Sequence, residues 1–305
     1  MTLLCSKCSK PAVTFIRYNG THLCKEHFTQ YVEKRVKREI RKQRGERRFK
    51  KVAVALSGGK DSSLALYLTY KILSNHTEIY AITVDEGIAG YREKTIKLAK
   101  SLCTELGVLH HIISFKETFG ITMDEVAKKS DEIGTCTYCG VFRRTCLNKA
   151  AKELNADVLV MGHNLDDVAQ SILMNFTNAD LEKLARLGPH EKIQPGLIPR
   201  LLPLRLIPEK ETFLYALLNN LPTSLDQCPY ALSTRGKFRE IVDDLEEMNP
   251  GTRHSILQSY DTIRPLLLTL FPSTKLNSCK VCGEPTVGEV CKACLLLEKL
   301  MKNSL

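Results

Sequence analysis

Three kinds of residue in this 305-residue chain have spacings that could carry chemistry. The first is cysteine. Cys5-x2-Cys8 is followed by Cys24-x2-His27, and Cys279-x2-Cys282 by Cys291-x2-Cys294. Pairs at this spacing read as metal-ligand knuckles before disulfides. Each set supplies four ligands, which close a tetrahedral zinc site and leave no open position for catalysis. Both zinc ions are therefore expected to be structural, folding short segments that have almost no core of their own. A third pair, Cys136-x2-Cys139, is ambiguous by itself: half a zinc site, a redox pair or cluster ligands. The redox reading is the weakest, because a thioredoxin context is lacking. Cys103 lies in the helical pattern KTIKLAKSLCTELG and is expected to be a small buried hydrophobe.

The second kind is the run VAVALSGGKDSS at 52–63. An apolar strand ends in Ser-Gly-Gly and opens directly into a helix. The glycines let backbone approach an anion, and helix N-terminal N–H groups supply donors. The GxxxxGK[ST] spacing of a Walker A loop is absent. The third kind is GHNLDD at 162–167, again between a strand and a helix. That edge is where parallel sheets bind ligands. Asp167 is the carboxylate placed at a reacting phosphate or its Mg2+, Asp166 is read as a helix cap, and His163 as a positioned or packing residue.

The elements that position these groups follow from periodicity. Apolar runs at 51–56, 78–84, 108–115 and 157–162 predict strands. Helical spacing is seen at 61–73, 92–106, 122–129, 140–154 and 165–177, with a loop around Cys136. This alternation predicts an α/β fold with a parallel sheet covered on both faces. Residues 188–208 contain five prolines and exclude a regular helix. Helices return at 209–220, 235–248 and 252–269. Four units result: a zinc knuckle at 1–28, a basic helix at 29–50, the main α/β domain with a helical C-terminal part at 51–275, and a zinc ribbon at 276–305.

Net charge is +10, and it is concentrated. Residues 33–51 hold 11 basic and 3 acidic side chains, so that stretch alone carries +8. Such a block points to a polyanion, with nucleic acid the leading candidate; a solvated helix face is the bland alternative. No apolar run approaches a membrane span. The N-terminus lacks a signal-peptide pattern, so a cytoplasmic protein is expected.

SGGKDS resembles the PP-loop of ATP pyrophosphatases. In that superfamily the loop grips the β- and γ-phosphates while the α-phosphate is attacked, giving an adenylated acceptor and pyrophosphate. The order of motifs is zinc knuckles, SGGKDS, CxxC, GHNLDD, the lone Cys228 in DQCPY, and zinc ribbon. Across essentially the whole chain this resembles the TtuA/NcsA-type tRNA 2-thiouridine synthetases, within the TtcA-like group. The resemblance implies ATP and Mg2+ bound by Ala55, Leu56, Ser57, Gly58, Gly59, Lys60, Asp61, Ser62, Ile82, Gly162 and Asp167. It implies a [4Fe-4S] cluster on Cys136, Cys139 and Cys228, with one iron free of protein thiolate. Asp61, Asp167 and Arg143 become the catalytic candidates. The family often has lysine near the position of Arg143. Arginine does not readily lose its proton, so it would hold phosphate or transition-state charge instead. The implied reaction is adenylation of a uridine C2 oxygen on tRNA, then sulfur insertion to give 2-thiouridine. A homodimer is implied too, with sulfur from free sulfide or a ubiquitin-like carrier. Two rivals stand beside this: the same chemistry on cytidine, and a zinc-containing RNA-binding protein without catalysis. The intact SGGKDS and GHNLDD argue against the second.

Overall fold

The computed structural model describes residues 3–129, 134–190, 194–231 and 234–302, the side chains of 234 and 235 excepted. The outermost ends of the two terminal zinc units lie outside the described residues. β1 (Thr14–Ile16) and β2 (Thr21–Leu23) pair as an antiparallel hairpin, with Gly20 left-handed at the turn. α1 (Lys25–Arg44) follows at once. His27 thus lies in its first turn, and the boundary expected after residue 28 falls inside one continuous helix. Gly45 ends α1 short of the expected residue 50.

The main domain alternates as the periodicity predicts: β3 (Lys51–Ala55), α2 (Lys60–Leu73), β4 (Glu78–Asp85), α3 (Arg92–Leu106), β5 (Leu109–Ser114), α4 (Phe115–Phe119), α5 (Met123–Lys129), α6 (Thr135–Glu153), β6 (Val158–Val160), α7 (Leu165–Thr177) and α8 (Leu181–Ala185). One expectation is corrected. The loop anticipated around Cys136 is the first turn of α6, entered through left-handed Gly134. The i, i+3 spacing therefore sets Cys136 and Cys139 on one helix face. Among its described residues, the proline-rich connection is irregular apart from the two-residue β7 (Arg200–Leu201). α9 (Glu209–Leu218), α10 (Thr234–Met248) and α11 (Thr252–Leu270) follow, then β8 (Asn277–Ser278), β9 (Pro285–Thr286) and α12 (Lys292–Lys302).

The central sheet has five parallel strands in the order β5-β4-β3-β6-β7. From β3 the chain builds outward through β4 and β5, then returns to the other side with β6 and β7. The reversal between β3 and β6 is a switch point, and open α/β sheets bind ligands beyond the carboxyl ends of such strands. SGGKDS follows β3 and GHNLDD follows β6, so the topology puts both motifs at that crevice.

Val52 and Val54 of β3 enter one core, with Val32 and Val36 of α1, Leu64 and Leu68 of α2, and Tyr215 of α9. Ala53 enters the other, with Val126 of α5 and Phe142 of α6. This is the period-two alternation of a strand covered on both faces. The N-terminal cysteine-rich unit joins the first core through Cys5, Ile16, Leu23 and Cys24. The C-terminal unit joins the second through Cys279, Cys291, Leu296 and Leu300. The two cysteine-rich units thus sit on opposite faces of the sheet. α7, α8 and α11 share a third core around Leu165, Leu184 and Tyr260. No described helix is long and apolar enough to cross a membrane.

Candidate active site

The terminal knuckles have the geometry of tetrahedral sites. Cys8 Sγ and Cys24 Sγ are 3.8 Å apart, and His27 Nδ1 lies 3.4, 3.5 and 3.4 Å from Cys5, Cys8 and Cys24. Zn–S bonds of about 2.3 Å at a tetrahedral angle give S–S edges of about 3.8 Å. In the ribbon, Cys279 and Cys294 are 4.0 Å apart and Cys282 and Cys291 3.5 Å. The four ligand atoms of each set lie within 4.8 Å of one another. Cys136, Cys139 and Cys228 do not form so tight a set among the described residues.

The phosphate loop is a closed turn. Gly58 is left-handed at φ +84°, and a Cβ there would meet the Thr95 carbonyl oxygen at 2.2 Å. Only glycine fits. Ser62 Oγ donates to the Gly59 carbonyl at 2.9 Å and accepts the Ser57 N–H at 3.1 Å. The Ser57 and Ser62 hydroxyls are 3.0 Å apart. Asp61 is in the first turn of α2. Its Oδ1 accepts from Thr212 Oγ1 at 2.6 Å, and its Oδ2 pairs with Lys60 Nζ at 2.7 Å. Lys60 also pairs with Glu209 at 2.7 Å. Burial works against the Lys60 charge, but Asp61 and Glu209 outweigh it and raise its pKa. Lys60 thus ties the loop to the start of α9. Leu56 is engaged inside the sheet: its N–H donates to Ile82 and its carbonyl accepts from Thr83. Ala55 and Ile82 are register partners on adjacent strands.

GHNLDD abuts this loop. A Cβ on Gly162 would meet the Ser62 backbone at 2.9 Å. The cap expected at Asp166 lies elsewhere. Asn164 is the cap of α7, and Asp167 completes a capping box by accepting the Asn164 N–H at 3.2 Å. Asp166 does not cap. It is buried, paired with Arg253 at 2.7 Å, and accepts the Glu209 N–H at 2.7 Å. Burial raises its pKa against the pull of Arg253. His163 is exposed at the surface, so it does not pack in the core.

The third cysteine group assembles from two segments. Cys136 Sγ lies 3.3 Å from the Tyr230 carbonyl, which places the turn of 228–231 against the start of α6. Cys228 and Tyr230 pack on the same core as Cys139. Burial raises the Cys139 thiol, Arg143 opposes the rise, and Glu86 and Cys228 add to it. Arg143 donates to Cys139 Sγ at 3.1 Å and pairs with Glu86 at 2.9 Å. Arg143 is a cation acting on two of the three thiols, Cys139 and Cys228, which suits a thiolate-held cluster. Cys146 is a further cysteine for which the spacing suggested no role. It is fully buried beside Thr118, and burial raises its thiol to about 11, as it does that of Cys103. Both are inert core residues.

Several site residues had no motif to announce them. Glu86, Arg92, Glu209, Thr212 and Arg253 touch the motif residues from other elements. The signal for Glu86 was positional only: it directly follows β4 at the ligand-binding edge.

A switch-point crevice, a glycine-built phosphate nest and an adjacent cysteine group define a PP-loop nucleotide-binding protein with an added thiol centre. Comparison with known proteins agrees. Residues 30–216 match the PP-loop domain, and residues 4–29 match the N-terminal LIM domain of 2-thiouridine synthetase TtuA. The chain is 39% identical to the tRNA 2-thiolation protein NcsA of Haloferax volcanii, covering 97% of this chain and 98% of that one. It is 34% identical to the tRNA-5-methyluridine(54) 2-sulfurtransferase of Pyrococcus horikoshii, covering 95% and 92%. Among solved structures it matches the U34-tRNA thiolase NcsA from Methanococcus maripaludis with its [4Fe-4S] cluster. That match has a TM-score of 0.84 at 35% identity and covers 99% of this chain and 97% of that one. The chain belongs to the NcsA/TtuA family of PP-loop tRNA 2-thiolation proteins.

Proposed function

We propose that this protein is an ATP-dependent tRNA sulfurtransferase that converts a uridine to 2-thiouridine. The observation that carries the reading is the meeting of three motifs: the phosphate loop, GHNLDD and the Cys136–Cys139 helix turn converge at one sheet edge. A carbonyl oxygen is a poor leaving group until it is adenylated. ATP lies across the carboxyl ends of β3 and β6, with its phosphates in the Ser57–Ser62 nest. Asp61 and Asp167 offer carboxylate oxygens to Mg2+. The C2 oxygen of the uridine attacks the α-phosphorus and pyrophosphate leaves. Sulfide then adds at C2, and the former carbonyl oxygen departs within AMP.

Cys136, Cys139 and Cys228 fit the [4Fe-4S] cluster by donor chemistry, three thiols brought to one sheet edge. When bound, the cluster supplies an iron without a protein thiolate, at which sulfide can be held. Arg143 lies beside Cys139 and holds negative charge rather than moving a proton. The base must leave its stack, which suits a flexible tRNA loop. The exposed side of α1 and the zinc units hold the tRNA body. The setting is the cytoplasm, and the working form is a homodimer.

The test is nucleoside mass spectrometry on individual tRNAs from a deletion strain, paired with tRNA-dependent pyrophosphate release by the purified protein. Loss of 2-thiouridine at position 34 or 54 is expected, and it names the site. Loss of 2-thiocytidine instead would move the acceptor. Unchanged nucleosides with no pyrophosphate release would overturn the enzyme reading. Supplying free sulfide, or a ubiquitin-like thiocarboxylate protein, to the same assay identifies the sulfur source.

A further inference from the structure

The phosphate loop and the cysteine group are joined by a continuous chain of charged side chains. Arg92 opens α3 and is buried, at 4% exposure. One of its terminal nitrogens donates to the Ser57 carbonyl at 3.0 Å and to Thr95 Oγ1 at 2.9 Å. The other donates to the Val84 carbonyl. Its Nε pairs with Glu86 Oε2 at 2.6 Å. Glu86 is also 4% exposed, and its second oxygen, Oε1, pairs with Arg143 Nε at 2.9 Å. Arg143 in turn donates to Cys139 Sγ at 3.1 Å. One carboxylate, with an arginine on each oxygen, thus spans the distance between the first residue of the phosphate loop and a candidate cluster ligand.

We infer that Glu86 and Arg92 are positioning residues that couple nucleotide binding at the phosphate loop to the placement of Arg143 and Cys139. The inference rests on the proposed function for its purpose, but the coupling itself does not need it. The physical basis is rigidity. Arg92 spends its planar fork on backbone carbonyls of two strands' ends, so its position follows theirs. Each Glu86 oxygen has one arginine as its ionic partner, and the Arg92 contact holds by charge and short distance, since neither Arg92 Nε nor Glu86 Oε2 makes a hydrogen bond among the described residues. Arg143 is half-exposed, and Glu86 and Cys139 together hold its guanidinium. Buried ion pairs of this kind resist rearrangement because an unpaired partner is costly. When the triphosphate fills the nest and draws in the loop, the shift passes through Arg92 and Glu86 to the thiol side. Adenylation and sulfur delivery would then be matched in time.

Two variants of the full-length protein test this. Glu86→Gln keeps shape and removes the charge. Arg92→Lys keeps the charge and loses the fork, so it guards against a failure of the first variant to fold. The primary readout is the rate of Cys139 alkylation by iodoacetamide, with and without Mg-ATP, on protein freed of iron. In the wild type ATP is expected to change that rate about threefold or more, and in both variants the ATP effect is expected to vanish while ATP affinity stays within about threefold. In the loaded enzyme the variants should release about tenfold more pyrophosphate per 2-thiouridine made, at unchanged iron content. A wild type without an ATP effect, or variants that keep it, would overturn the bridge. Parallel loss of ATP affinity, iron and melting temperature would also overturn it, leaving a structural ion pair. An intact ATP effect in a wild type that makes no 2-thiouridine would instead support the bridge and reject the proposed function.

Discussion

At the scale of single residues, carboxylates that look alike in sequence have been given different work. Asp166 is locked to Arg253, Asp167 closes a capping box, and Asp61, in the first turn of α2 beside the phosphate nest, binds Thr212 and Lys60. Asp61→Ala is therefore expected to lower tRNA-dependent pyrophosphate release by about a hundredfold or more, because Mg2+ loses an oxygen ligand at the reacting phosphate. Circular dichroism should show the fold intact; wild-type turnover would remove Asp61 from the mechanism. His110 gives a second residue-scale expectation. Thr83 donates its only hydroxyl proton to the Leu56 carbonyl at 2.6 Å. His110 Nε2, 2.7 Å from that hydroxyl, must then be the donor, and its Nδ1 is buried without a partner. Burial first, then Lys100 and His111, lowers its pKa to about 4. In the folded state the imidazole is thus neutral at pH values where the unfolded chain binds a proton. Its contribution to stability is complete above the ordinary histidine pKa and shrinks as pH falls from there towards about 4. His110→Gln should flatten this part of the acid limb. The check is the urea midpoint of both proteins across the window, and parallel curves would exclude the linkage.

At the scale of elements, α1 divides into two faces. Phe28, Val32, Val36, Ile40 and Gln43 are buried against the main domain, while Lys34, Lys37, Arg38, Arg41 and Lys42 form an exposed stripe. The spacing of those five is that of one helix face. Arg35 belongs to neither. It pairs with Glu211 at 3.2 Å, donates to the Leu206 carbonyl at 2.5 Å, and lies over the rings of Tyr18 and Tyr31. Burial lifts Glu211 to about 7 even with Arg35 beside it. Reversing Lys34, Lys37, Arg38 and Arg41 together should weaken tRNA binding and flatten its dependence on salt, with ATP binding unchanged. Reversing Arg35 should instead cost about 3 kcal/mol of stability, because it leaves a buried partner unpaired. Filter binding over a salt series and denaturant melts separate these outcomes. An unaltered salt slope would make the stripe a solvated face. The basic block was legible in sequence because charge density is a local property. Which arginine is structural was not, since that depends on Glu211 and His254, far along the chain.

At the scale of the molecule, three cysteine groups occupy separate places. The knuckle is built into the α1 face, the ribbon docks on the α6 face, and the third group stands at the sheet edge. Asn148 of α6 holds the ribbon side together: it donates to the Gly196 carbonyl at 3.1 Å and to Glu284 at 3.0 Å, and accepts the Ile198 N–H at 3.0 Å. Separation of this kind predicts independent loading. Anaerobically purified protein should be brown and hold about four irons and about two zincs per chain. Cys136→Ala, Cys139→Ala or Cys228→Ala should each remove iron and thiolation while leaving both zincs and ATP binding. Aerobic handling should cost activity, because an iron without a protein thiolate is the easiest to lose. Elemental analysis with an anaerobic visible spectrum decides it. Three zincs and no iron would sink the cluster.

What the sequence determined by itself was everything whose partners are close along the chain. The Cys-x2-Cys and Cys-x2-His knuckles, the Ser57–Ser62 nest at a strand–helix junction, and the alternating elements are all written within short windows. Spacing and periodicity therefore reveal them. Even there two local readings failed: the cap of α7 is Asn164 rather than Asp166, and Thr135, Thr137 and Tyr138 weaken helix propensity around Cys136, but packing of Tyr138 and Phe142 into the second core makes that segment helical. Only the tertiary structure decided the rest. It set β3 beside β6 and so brought SGGKDS to GHNLDD. It carried the Cys228 turn to Cys136, and it gave Asp166 to Arg253 rather than to a helix cap. It also strung Arg92, Glu86 and Arg143 between the phosphate loop and Cys139. These pairings join residues on different elements, and no rule of local spacing records them. They exist because a twisted parallel sheet with a reversal in strand order gathers the carboxyl ends of its strands into one crevice.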